Sequence, residues 1–199
     1  DKEVVLAAVT NDGEALKYAD ASLQNDKEVV LAAVTNDGWA LEYAYASLQK
    51  DKEVVLAAVT NTPDAFDYAD ASLKNDKAIG LVILNKTRAE WLDKVKENSF
   101  NLKEANTIIK QDKEIVLAAV TSNGTALQYA DVSLKKNREV VLAALDAVNN
   151  KGYALRYADA SLQKDKEVVL AAVTNNGRVL QYANATLQKD REVVLAAVT

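Results

Sequence analysis

The sequence predicts an all-α fold: an α-solenoid of helical-hairpin repeats about 25 residues long, with one inserted helix in the fourth repeat. Two observations carry this. The string Asp1-Lys2-Glu3-Val4-Val5-Leu6-Ala7-Ala8-Val9-Thr10 returns, intact or lightly altered, at Asp26, Asp51, Asp76, Asp112, Asn137, Asp165 and Asp190. Successive starts are separated by 25, 25, 25, 36, 25, 28 and 25 residues, a period that marks a stacked array and makes 1–199 a single one. Within each period, apolar residues fall at helical spacing.

The first half of the repeat starts with acidic residues that cap and charge-match a helix N-terminus. The Asn25 to Glu28 spacing also fits a capping box. Val4 to Val9 is apolar almost all round and suits an inner helical layer, although Val-Val-Leu is also strand-forming sequence, as in a leucine-rich horseshoe. Thr10-Asn11-Asp12-Gly13 is a turn in which Gly13 is expected to take positive φ. From Glu14 to Gln24, the residues Ala15, Leu16, Tyr18, Ala19, Ser22 and Leu23 predict an amphipathic helix of about three turns. Tyr18 and its counterparts Tyr43, Tyr68, Tyr129, Tyr157 and Tyr182 are expected in the core, each hydroxyl reaching a backbone partner.

Two irregular repeats favour helix over strand. The sixth, Leu142 to Gly152, is three residues longer before its glycine; three residues are nearly one helical turn, and Leu145 and Val148 would continue the apolar face, whereas an odd insertion inverts a strand. The fourth has eleven extra residues between Asn85 and Asn101, because Leu102 to Gln111 aligns without gaps to Leu16 to Asn25. Thr87 to Glu90 fits a capping box there, and Trp91, Leu92 and Val95 predict an added helix at about Arg88 to Glu97, sealed onto the stack together with Phe100.

Composition narrows the function. The net charge is -5 and Lys alternates with Glu, which disfavours nucleic-acid binding because that needs clustered cations. There is no cysteine and no histidine, so disulfides, thiolate sites and the usual general base are missing. The longest apolar runs are six residues, so no membrane span and no signal peptide are expected. The chain has no methionine, starts at a repeat boundary and stops halfway through a repeat, as an excerpt or processed product would.

The Asp-Lys-Glu-Val-Val-Leu-Ala-Ala-Val start, the Gly-x-Ala-Leu-x-Tyr-Ala centre at Gly124 to Ala130 and Gly152 to Ala158, and the Ser-Leu-Gln close together resemble an uncharacterised repeat family, a domain of unknown function found in tandem copies in bacterial and protist proteins. The resemblance covers every repeat outside the Asn85 to Asn101 insertion. It implies no catalytic residues.

Differences among the repeats carry the functional signal. The position after the turn glycine, or after Pro63, reads Glu14, Trp39, Asp64, Thr125, Tyr153 and Arg178; three residues on stand Lys17, Glu42, Asp67, Gln128, Arg156 and Gln181, while the Ala-Leu and Tyr-Ala between them stay almost fixed. Either an unconstrained surface drifts, or these positions draw a partner-binding stripe rich in the residue types that dominate interfaces. Trp39 with Tyr45, and Trp91 in the insertion, are further candidates. Asn11-Asp12-Gly13 lacks the alternating oxygen ligands of a calcium loop, and pairs such as Asp26 and Glu28 recur as helix starts do. Neither a catalytic triad nor a phosphate loop is visible, and no cofactor or metal is expected. The expected role is therefore a non-enzymatic scaffold for a protein or peptide. The alternative is a structural connector in a larger assembly, joined through the open ends of the solenoid.

Overall fold

A computed structural model of the chain describes residues 1–149 and 152–199. The packing resolves into two compact bodies, Asp1–Arg88 and Ala89–Thr199. Both are all-α: among the described residues the one β feature is an isolated parallel bridge between Asn123 and Asn149. No helix among them is long and apolar enough to cross a membrane.

A regular repeat has three segments. A ten-residue α-helix, such as Lys27–Asn36, is followed by a six-residue 3₁₀ helix, Gly38–Tyr43, and a four-residue helical turn, Ala46–Gln49. Within each body the long helices stack on one another, and so do the 3₁₀ helices. In the second repeat Val29, Val30, Ala33 and Val34 meet Ala40 and Leu41 in the core, all fully buried. The opposite side of the long helix is not enclosed as an inner layer would be: Leu31 and Ala32, though apolar, are half-buried and Thr35 is exposed.

The continuous three-turn second helix is also corrected. Ala19 is extended, at φ -73° and ψ 152°, and Asp20 restarts the helix by accepting from the Ser22 amide at 2.9 Å. That break exposes backbone which neighbouring repeats pair. Tyr45 N–H donates to Gln24 O, Asp70 to Gln49 O, Asp131 to Lys110 O, Asp159 to Lys135 O and Asn184 to Gln163 O, at 2.9–3.0 Å. A continuous helix would have consumed those groups internally. The closing Gln or Lys supplies a side-chain donor to the 3₁₀ carbonyls, as Gln24 does to Leu16 O at 3.2 Å and Lys135 to Gln128 O at 2.7 Å.

Two further joints link successive repeats. The N-capping aspartate accepts from its own helix and from the lysine of the repeat before. Asp26, not Asn25, caps Glu28 and Val29, and Lys2 reaches both Asp26 and Glu28 at 2.8 Å. Lys27 repeats the arrangement on Asp51 and Glu53, and Lys166 does so on Asp190 and Glu192. At the other end of the helix an asparagine clamps the preceding turn. Asn36 accepts from the Gly13 amide at 2.8 Å and donates to Thr10 O at 3.0 Å; Asn61 does the same for Gly38 and Thr35.

The turn glycines are needed for closeness, not for left-handed backbone. A Cβ on Gly13 would lie 2.5 Å from Ala33 O of the next repeat, and one on Gly38 would lie 2.5 Å from Ala58 O. Gly152 is the one described glycine with positive φ.

Both irregular repeats depart from expectation. The insertion does not start a new helix: Lys77–Glu97 runs unbroken for 21 residues, against ten in Lys52–Asn61, and Thr87 lies inside it, donating to Ile83 O at 2.9 Å. In the sixth repeat the helix stops at Asp146 and no extra turn forms. Val148 is 82% exposed and does not continue the apolar face, and the Gly152 amide donates to Leu145 O. Asn150 and Lys151 of that run lie outside the described residues.

Candidate functional site

The first set of variable positions lies in the first turn of the 3₁₀ helices, directly after the turn glycine or Pro63. In the first body Glu14, Trp39 and Asp64 sit on Gly13–Tyr18, Gly38–Tyr43 and Pro63–Tyr68, which pack in sequence. In the second body Thr125, Tyr153 and Arg178 sit on Gly124–Tyr129, Tyr153–Tyr157 and Gly177–Tyr182. Glu14 pairs with Lys17 at 3.2 Å, Thr125 is held to Asn123 at 2.8 Å, Tyr153 is half-buried, and Asp64 and Arg178 are exposed. Each body thus carries a ridge of 3₁₀ helices presenting the residues that differ most among the repeats.

Sequence reasoning missed Phe100. Asn98 caps the 3₁₀ helix Ser99–Glu104 as Asp12 caps the first, so Ser99 stands in the glycine place and Phe100 in that of Trp39. It is 42% exposed, like Trp39, and is not sealed into the core. Only the replacement of glycine by serine concealed the match. Trp91 lies elsewhere, half-buried on the 21-residue helix with the Lys94 ammonium 4.8 Å from its ring centre.

The tyrosines are not in the core either. Tyr18 is 82% exposed, and Tyr43, Tyr68, Tyr129, Tyr157 and Tyr182 are half-buried on the ridges. Tyr68, Tyr129 and Tyr182 each meet a side chain of the preceding repeat. Trp39 meets Tyr68 edge-on at 5.9 Å, and Phe100 meets Tyr129 in the same way at 6.2 Å. Arg156 lies over Tyr157 and Tyr182, 5.7 and 6.0 Å from their ring centres. Burial first, and then the negative charge of Glu42, push the Tyr68 hydroxyl above the ordinary phenol value.

Tyr45 breaks a rule of the repeat. Its place is held elsewhere by Asp20, Asp70, Asp131, Asp159 and Asn184, each capping a Ser or Thr two residues on. Tyr45 makes no such bond and is 56% exposed. An exposed aromatic thus replaces a stabilising cap, a local cost that often marks function.

The ridges differ in charge. At the two variable positions the first body carries Glu14, Glu42, Asp64 and Asp67 against Lys17; the second carries Lys103, Arg156 and Arg178 and no acid.

A family model described as Domain of unknown function (DUF4116) matches residues 1–49, 36–74, 92–135, 112–163, 137–188 and 165–199. The chain belongs to the DUF4116 family. The matches leave out 75–91, where the DUF4116 repeat gives way to the run-on helix. Neither the curated proteins nor the solved structures contain a match to the chain.

Proposed function

We propose that this array is a non-catalytic scaffold that binds a protein or peptide partner along its 3₁₀ ridges. One observation carries the reading. Residues at the joints and in the core recur from repeat to repeat, while the exposed ridge positions change and include Trp39, Phe100 and Arg178. Aromatic and arginine side chains concentrate binding energy at interfaces.

The test is affinity capture with quantitative mass spectrometry, comparing the wild-type chain with Trp39→Ala, Tyr45→Ala and Arg178→Ala. Each substitution at a hot spot should weaken retention of the partner by about 1 to 3 kcal/mol. Identical capture by all variants would remove the ridges from consideration.

The connector reading rests on the 21-residue helix, which is about twice as long as its siblings and leaves Leu81 60% exposed. Deleting the eleven added residues should release a connector from its assembly with the helical signal retained. Continued assembly would count against that role.

A further inference from the structure

Position 42 holds a carboxylate where the sixth repeat holds Arg156: both are four residues past the turn glycine. Arg156 lies over the tyrosine of the following repeat, Tyr182, 6.0 Å from the ring centre. The ridge of the second body therefore already contains a guanidinium seated on a tyrosine, supplied by the chain itself. In the first repeat Lys17 lies over Tyr18 at 4.9 Å.

Between the second and third repeats the same place is built differently. The tyrosine is Tyr68, and Trp39 closes on its ring at 5.9 Å with the planes 79° apart. Where the guanidinium would be, the chain carries the Glu42 carboxylate, next to Tyr43, and Asp67 precedes Tyr68 in the chain. The charge of Glu42 adds to burial in raising the Tyr68 hydroxyl, so the carboxylate stands near that ring. Trp39, Glu42 and Asp67 are exposed, and Tyr43 and Tyr68 are half-exposed. Three aromatic rings with two carboxylates form a receptor for a cation, because the ring faces and the carboxylates attract positive charge together. Further along this ridge Asp64 adds negative charge, while Glu14 is paired with Lys17.

We propose that the Trp39, Glu42, Tyr43, Asp67 and Tyr68 cluster receives an arginine side chain of the protein partner, in the position that Arg156 fills from within the chain in the sixth repeat. The proposal rests on the scaffold reading and specifies its chemistry. Arginine fits better than lysine, since a planar guanidinium can stack on a ring and bridge a carboxylate at once.

The experiment uses the full chain carrying Trp91→Phe, which leaves Trp39 as the sole tryptophan. It is titrated with a short Gly/Ser peptide bearing a single arginine, and with the same peptide bearing citrulline, the neutral isostere. The arginine peptide should change Trp39 emission saturably and bind roughly tenfold more tightly than the citrulline peptide. Glu42→Arg, which fills the place from within, should abolish the difference while circular dichroism stays unchanged.

Equal binding of the two peptides, binding of neither, or full arginine preference in Glu42→Arg would each overturn the proposal. Should capture of the natural partner fail in Trp39→Ala although the two peptides behave alike, the scaffold stands and the arginine receptor falls. If capture is indifferent to every ridge substitution and the peptides also bind alike, both fall.

Discussion

The asparagine clamp makes a prediction with its own control. Asn61 accepts from the Gly38 amide at 3.0 Å and donates to Thr35 O and Asn36 O, both at 3.1 Å. Asn61→Ala leaves the amide of buried Gly38 without its acceptor, which costs about 1 to 3 kcal/mol, and removes a donor from two carbonyls at a helix end. The better helix propensity of alanine returns about 0.5 kcal/mol, so the expected net loss is about 2 kcal/mol. In a protein of residues 1–199 alone, Asn11 occupies the same place in the first repeat with no turn before it to clamp, and it is exposed. Asn11→Ala should therefore be neutral or slightly stabilising. Urea unfolding of both variants gives the comparison, and amide exchange at Gly38 localises it, because repeat arrays need not unfold as one step. Equal midpoint shifts in the two variants, or unchanged protection of the Gly38 amide in Asn61→Ala, would refute the clamp.

Gly38→Ala forces a methyl to within 2.5 Å of Ala58 O and 2.7 Å of Thr62 Cβ; it should cost about 1 to 3 kcal/mol in urea unfolding, and an unchanged midpoint would contradict the close-approach account. Tyr45→Asp restores the cap used by the sibling repeats and should stabilise by about 0.5 to 1 kcal/mol while weakening partner capture; a lower midpoint would show that Tyr45 is held for packing. Asp26, Asp51, Asp76 and Asp190 are held below the ordinary value of 3.8, first by Lys2, Lys27, Lys52 and Lys166 respectively. Their folded-state pKa values lie below the unfolded ones, so their contribution is complete above that value and is lost as pH falls through the lower folded values. Thermal midpoints should drop across that acid window, and less steeply when the four lysines are changed to Met; an unchanged slope would show that these ion-pair rungs do not couple to folding.

The helical class was legible because the period and the apolar spacing of Val29, Val30, Ala33 and Val34 are properties of one repeat. The broken second half was not, because the groups that stabilise the break lie on the next repeat. Nothing local to Gln24 announces that its carbonyl will meet the Tyr45 amide. The glycines misled for the same reason. A glycine after Asn-Asp has a sufficient local explanation in positive φ, whereas the actual constraint is Ala33 O one repeat away. The ridge itself was visible as alternation between fixed and variable positions. Its tyrosines were misplaced because a three-turn α-helix would have turned them inward, and a short 3₁₀ segment does not.

The departures from the repeat around Pro63 explain one another across a single joint. Pro63 has no amide hydrogen, so it cannot give the bond that Gly13 and Gly38 give to Asn36 and Asn61. The residue in the asparagine place of the next repeat is Lys86, which has no acceptor to leave unpaired, yet still donates to Thr60 O as Asn36 donates to Thr10 O. One joint has thus lost a donor and its acceptor together and kept the contact that needs neither. Pro63→Gly alone should then gain little, because the restored amide faces an ammonium, and Lys86→Asn alone should present an acceptor to a ring that cannot donate. Only the double variant completes the bond, so a double-mutant cycle in urea unfolding should return a favourable coupling of about 1 kcal/mol. Additive effects would mean that the two substitutions arose independently and that the joint is held by packing alone.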